Sequence, residues 1–374
     1  MQKYLFIAMV LLVWGGSNAF LYVQSLPLFA IPKIGNWLRA MFILLAISFL
    51  VSFKARSFMG GVFEILGTLW LAFMLYLAML FVALLLLRLA NRWIGFSEWL
   101  NFAQHPSHHR VAVVAVYAIA CLVVLAGHIN AIMPRVVHLR VAVSKSMAAP
   151  MRLVAVSDIH LGNVIGKRQL QRLVRTVNAQ HPDVLLLVGD TFDQHIQPVL
   201  KHDMGQLFGQ IVAKHGVVAV TGNHDYFGAY ADKIAYLRGC GVNVLCDSVL
   251  CIGDCLIVGR NDLQSQHALG HRRASIAELM QGADSNKVVV VLDHQPFHLE
   301  EAQQAGADLQ LSGHTHHGQL WPFNYLTQSI YECSHGYLQK GSTHYYISSG
   351  YGTWGPRVRL GNRPEVLVVD VVNN

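Results

Sequence analysis

Between Lys3 and Lys33 the chain carries no charged side chain, and long uncharged runs return between Glu64 and Arg88 and from Val111 to Pro134. Few folds accept such runs. A helix satisfies its own backbone polar groups and needs about 20 mostly apolar residues to cross the hydrocarbon of a bilayer. These runs are apolar around the whole helical circumference, whereas a helix on the surface of a soluble domain shows one apolar stripe. The spacing therefore predicts membrane helices at 4–23, 65–87 and 111–132 within an apolar region 1–133. A fourth is expected at 34–53, where only 40–53 is uncharged and Arg39 must snorkel to the interface. The first run also resembles a signal peptide, with Gly15-Gly16-Ser17-Asn18-Ala19 where a peptidase could cut, but we read it as a retained anchor.

Charge divides the chain in the same place. Residues 1–150 hold eleven Lys and Arg and two acids, Glu64 and Glu98, so the overall +7 arises in the apolar half. Cations at the ends of apolar runs suit lipid headgroups. The remaining residues carry a net charge of −2, no footprint for a polyanion, and no nucleic-acid partner is expected. With four spans, Lys3, Lys54, Arg56, Arg135, Arg140 and Lys145 share one side, against Lys33, Arg39, Arg88, Arg92 and Arg110 on the other. Six against five favours a cytoplasmic C-terminal half. The six cysteines lack the paired spacing of a zinc or redox motif and are read as structural, although the closeness of Cys246, Cys251 and Cys255 leaves a disulfide open.

After Pro150 short β-branched runs alternate with amphipathic stretches, the pattern of an α/β domain over 151–374. Strands are expected at 153–156, 184–188, 217–220, 242–245, 256–258, 288–292, 309–311, 345–347 and 366–371, with helices at 167–179 and 274–281. Residues 134–150 read as a linker.

The polar residues cluster just after these strands. Asp158 and His160 follow the first, Gly189 and Asp190 the second, and Gly222-Asn223-His224-Asp225 the third. His294 follows the strand ending at Leu292, and Gly313-His314-Thr315-His316 the one ending at Leu311. Singly each motif is commonplace: a Gly-Asp pair usually marks a turn, and His294 alone reads as a loop histidine. Together they offer only oxygen and imidazole donors at strand ends, which face a common edge in an open α/β sheet. Such donors suit divalent Mn, Fe or Zn, and the absence of thiolates disfavours a structural zinc cluster.

The order DIH, GDTFD, GNHD, HQP and GHTH resembles the calcineurin-like metallophosphoesterase superfamily over about 151–374. The tail from Tyr345, with Ser349-Gly350, Gly352-Thr353 and Arg359 before Pro364-Glu365, is similar to a membrane-associated bacterial branch, which implies an integral protein of the inner membrane. The resemblance implies two β-sheets sandwiched by helices. It places Asp158, His160, His316 and Asp190 around one divalent metal, and Asn223, His294, His314 and the shared Asp190 around a second. Beside Asn223, His224 is expected to stabilise the developing charge or to protonate the leaving oxygen, and the resemblance implies that Asp193 orients it. His317 departs from the pattern, standing where relatives often have Gly, and is read as an inert surface residue.

The expected function is a membrane-anchored, metal-dependent hydrolase of phosphomonoesters, phosphodiesters or pyrophosphates. Anchoring by several helices favours a lipid-linked substrate, and the resemblance suggests UDP-2,3-diacylglucosamine or a phospholipid. Two rivals are an anchored phosphodiesterase or phosphatase acting on a soluble nucleotide or phosphoprotein, and a non-enzymatic sensor or transporter binding a phosphorylated ligand. The spans offer the transporter little, since few ionisable residues mark a pathway through them.

Overall fold

The computed structural model describes residues 2–52, 58–270 and 272–374, which form two units, 1–128 and 129–374. In the first unit, helices Gln2–Gln24, Leu26–Phe29, Gly35–Ser52 and Phe58–Ile94 precede Pro106–Ala131, whose last turn belongs to the second unit. Three stretches, Gly35–Ser52, Gly60–Ile94 and Pro106–Ala131, are long and apolar enough to cross a membrane, and a shorter apolar stretch spans Ala8–Gln24. Phe53, Lys54 and Arg56 lie outside the described residues. Trp14, Leu21, Phe42, Trp70, Leu77, Phe81 and Val113 share one buried cluster. Gly67 permits close helix approach, because a Cβ there would lie 2.5 Å from backbone atoms of Phe49.

The described residues of the second unit hold twelve strands: β1 Arg135–Val143, β2 Met151–Val156, β3 Val184–Val188, β4 Val217–Val220, β5 Val242–Val244, β6 Ser248–Ile252, β7 Cys255–Gly259, β8 Val288–Leu292, β9 Leu309–Ser312, β10 Gly336–Lys340, β11 Thr343–Ile347 and β12 Glu365–Asn373. They make two six-stranded sheets, ordered β1-β12-β2-β3-β4-β5 and β10-β11-β9-β8-β7-β6. The inner faces meet in a core that joins Leu186, Val188 and Val220 to Ile257, Val290 and Leu311. On the outer face of the first sheet, Leu185 and Leu187 pack with Leu170, Leu173 and Val177 of helix Lys167–Asn178. This is why β3 is apolar at every position: it is covered on both faces.

The expected two-sheet sandwich is present, but residues 134–150 are not simply a linker. β1 pairs in parallel with all nine residues of β12 and buries Val141 and Val143. The alternation of exposed His138, Arg140 and Ala142 with Leu139, Val141 and Val143 is that of an edge strand with one wet face. Helix 274–281 shortens to Ile276–Leu279, started by a Ser275–Glu278 capping box. All six cysteines are free thiols.

Candidate metal centre

Strands β2, β3, β4 and β5 are mutually parallel, as are β7, β8, β9 and β11. Each polar motif therefore emerges from the C-terminal end of its strand, and the motifs are tied to one another through backbone. Asp158 N–H donates to Gly189 O and His160 N–H to Asp190 O, both at 3.0 Å. The chain turns sharply to present these side chains: Asp158, His160, Asp190, His314 and His316 all adopt left-handed backbone, with φ of 54°, 52°, 51°, 69° and 46°. Such conformations cost on the order of 1–3 kcal/mol each and cluster at functional sites. Glycine is required where the motifs touch: a Cβ on Gly222 would strike the Asp190 carboxylate, and one on Gly313 that of Asp158.

The side chains converge as two clusters, which a third group, His160, Asp190 and His224, links. Asp158, His160 and His316 form one, and Asp190, His294 and His314 the other, with the donor atoms of each within 4.8 Å of one another. His160 Nε2 lies 3.0 Å from His316 Nε2, and His316 Nε2 lies 3.4 Å from Asp158 Oδ1. Asp190 Oδ2 reaches toward both clusters, 3.8 Å from His160 Nε2 and 3.2 Å from His294 Nε2. Asn223 Oδ1 joins the second at 2.8 Å from His314 Nδ1. Donor atoms about 3 Å apart are what ligand bonds of about 2.1 Å at right angles produce.

The electrostatics are compatible with a bound cation. His294 Nδ1 donates to Val188 O at 2.8 Å, which turns the buried Nε2 toward Asp190 Oδ2, 3.2 Å away. Burial pulls His294 down, but the Asp190 and Asp158 carboxylates outweigh it and hold the ring well above its usual range. Burial holds His314 neutral, down to about 4, and His316, down to about 3. Neutral imidazoles beside buried carboxylates match a divalent metal's donor set.

A family model described as calcineurin-like phosphoesterase matches residues 151–318. An uncharacterized metallophosphoesterase of Aquifex aeolicus is 31% identical over 59% of this chain and 85% of its own length. The chain belongs to the calcineurin-like metallophosphoesterase family. A Campylobacter jejuni metallophosphoesterase, 26% identical, aligns over 98% of both chains, apolar unit included. A zebrafish (Danio rerio) transmembrane protein with metallophosphoesterase domain is 32% identical over 69% of this chain and 62% of its own. This metallophosphoesterase is thus a membrane-associated phosphoester hydrolase.

In this phosphoesterase, His224 stands at the rim of the centre. Its Nδ1 lies 3.2 Å from Asp193 Oδ1, while its ring also falls within reach of His160 and Asp190. Burial lowers His224, but the Asp193 hydrogen bond and the charges of Asp190, Asp193 and Asp225 outweigh it and raise its pKa. Two neighbours that sequence reasoning missed hold this pair. Asp225 accepts from the backbone N–H of Asp190, Phe192 and Gly222. Lys233, fully buried, donates to the carbonyls of Asp193, His224 and Phe227 at 2.8, 2.8 and 2.9 Å. Asp225 was legible as the end of its motif. Lys233 was not, because a lysine in a ten-residue surface helix reads as solvated.

The tail folds under the first motif. Tyr351 and Gly352 N–H donate to Ser157 and Asp158 O, and buried Arg359 donates to Gly352 O, with its Nη2 3.1 Å from His316 Nδ1. His317 lies outside both clusters, yet it is not the surface residue expected: it is half-buried, 3.2 Å from Ser334 Oγ and packed against His335. Its backbone is left-handed, with φ of 46°.

Proposed function

We propose that this phosphoesterase uses two divalent cations to hydrolyse a phosphomonoester, phosphodiester or pyrophosphate bond of a lipid-linked substrate. UDP-2,3-diacylglucosamine and phospholipids fit that description. The observation that carries the reading is the pair of neighbouring clusters with Asp190, a member of one, reaching toward His160 of the other. Asp158, His160, His316 and Asp190 would hold one ion, and Asn223, His294, His314 and Asp190 the other. Mn, Fe and Zn all suit these donors. Such a pair supplies Lewis acidity, neutralising phosphoryl oxygens and acidifying the attacking water.

The chain's own residues do the rest. Asp193 orients the His224 ring through Nδ1, which leaves Nε2 to hold a proton for the leaving oxygen. Lys233 and Asp225 fix the two loops that carry this pair. The lipid preference is supported by three helices long and apolar enough to cross a membrane. We place the protein in a bacterial inner membrane with the catalytic unit cytoplasmic, which a reporter fused to the C terminus tests.

The full chain in detergent with Mn²⁺ should hydrolyse bis-p-nitrophenyl phosphate or p-nitrophenyl phosphate, and lipid phosphates faster than soluble nucleotides. Equal rates on both substrate classes would remove the lipid preference and leave the phosphoesterase standing.

A further inference from the structure

From Gly318 to Tyr331 the chain carries no charged side chain, an interval that directly follows the GHTH ligands. Its helix, Phe323–Ile330, buries none of its eight residues. Phe323, Leu326 and Ile330 fall at i, i+3 and i+7, so an apolar stripe faces outward where a domain helix would face its core. Tyr325 is 62% exposed, Leu326 55%, Ile330 54% and neighbouring Trp354 58%. An exposed apolar patch of this kind marks an interaction surface, and the fold indicates the partner.

The patch is built against the point where the last apolar helix ends. Asn130, in that helix's final turn, donates to Arg359 O and Asn362 O at 3.0 and 2.7 Å. Arg363 donates to Met133 O at 2.9 Å, and Arg172 to Ile132 O. The same 359–363 loop pairs with the segment that opens the apolar helix: Leu320 bridges Leu360, and Trp321 N–H donates to Leu360 O. Both edges of the patch border the metal centre. The Tyr331 ring is 6.2 Å from that of His314, and Trp354, tied to Gln319 by two hydrogen bonds, is 6.3 Å from His224.

We propose that helix Phe323–Ile330 and Trp354 form a bilayer-docking surface that seats the rim of the metal centre at the headgroup–acyl boundary. Aromatic and aliphatic side chains in an uncharged amphipathic helix suit that boundary, and exposed Arg363 beside it suits anionic headgroups. Docking there brings phosphoesters at headgroup depth to the ligands by lateral diffusion. The surface goes beyond the assigned reaction, because it holds for any phosphoester the centre cuts.

The test uses the full chain in vesicles of phosphatidylethanolamine and phosphatidylglycerol, with photoreactive p-benzoylphenylalanine in place of Leu326, Ile330 or Val212. Val212 is equally accessible but precedes β4, at the opposite end of the strands from the centre. Gel filtration matching the parent shows that each substituted chain folds. Irradiation should give lipid adducts at 326 and 330 at least about tenfold above those at 212. Adduct yields at 326 and 330 no higher than at 212 would overturn the proposal. So would crosslinks there to a second copy of the chain or to another protein. No catalysis enters the readout, so a negative result here is distinct from failure of the phosphoesterase reading.

Discussion

The apolar and catalytic units both bury polar side chains, and they satisfy them in opposite ways. In the apolar unit the partners are mostly local: Ser25 Oγ donates to Leu21 O, Thr68 Oγ1 to Glu64 O and Asn18 Nδ2 to Trp14 O, each one helical turn back. In the catalytic unit they come from far along the chain, as His160 meets His316 and Asp190 meets His294. There His160 Nδ1 is buried without a hydrogen-bond partner, and His294 Nε2 faces only the Asp190 carboxylate, 3.2 Å away. A polar group that serves only folding mostly finds its partner one turn away, whereas the convergence of several from distant strands on one point is the mark of a site.

The sharpest test of that contrast is Asp190→Ala. Removing the carboxylate that reaches both clusters should lower Mn²⁺-dependent hydrolysis of bis-p-nitrophenyl phosphate by roughly 10⁴-fold, equivalent to about 5–6 kcal/mol of barrier. The gel-filtration profile should stay that of the parent. Full metal-dependent activity in this variant would mean that the convergence is structural after all.

A truncation separates the units themselves. A chain beginning at residue 133 keeps β1, whereas one beginning at 145 loses it and with it the buried Val141 and Val143. At about 1.5–3 kcal/mol for each buried valine, the shorter chain should lose roughly 3–6 kcal/mol in denaturant unfolding. It should also aggregate through the bared edge of β12. Equal stability of the two chains would restore residues 134–150 to the status of a linker.

That strand also shows what the sequence could reveal. The central strands were legible because burial on both faces makes them continuous apolar runs, as Val288–Leu292 illustrates. The three that were missed, β1, β6 and β10, are all sheet edges, half-wetted and interrupted by polar residues such as His138 and Gln339. The ligands were legible for a related reason: each follows a readable strand. Lys233 and the outward apolar helix Phe323–Ile330 were not, because their roles depend on which loops and faces tertiary packing brings near them.

His224→Asn sharpens the contrast within the catalytic unit, since it should spare metal binding and remove only the proton donor. A loss of about 10²–10³-fold in kcat is expected. Because His224 is held above its ordinary pKa, the parent's activity should persist to higher pH and then fall as the ring loses its proton, a limb the variant should lack. A variant with the parent's rate and pH profile would return the proton to water.

The smallest effect is expected in the apolar unit. Asn18 is its most connected buried polar residue, accepting from Trp70 Nε1 at 2.9 Å while donating to Trp14 O. Asn18→Leu leaves the indole N–H without that acceptor, but hydrogen bonds between membrane helices average only about 0.6 kcal/mol. Thermal unfolding in detergent should shift slightly, and hydrolysis of the soluble diester should stay within about twofold of the parent. A loss on the scale of His224→Asn would break the contrast, because a polar group that packs the apolar unit would then be shown to serve the reaction.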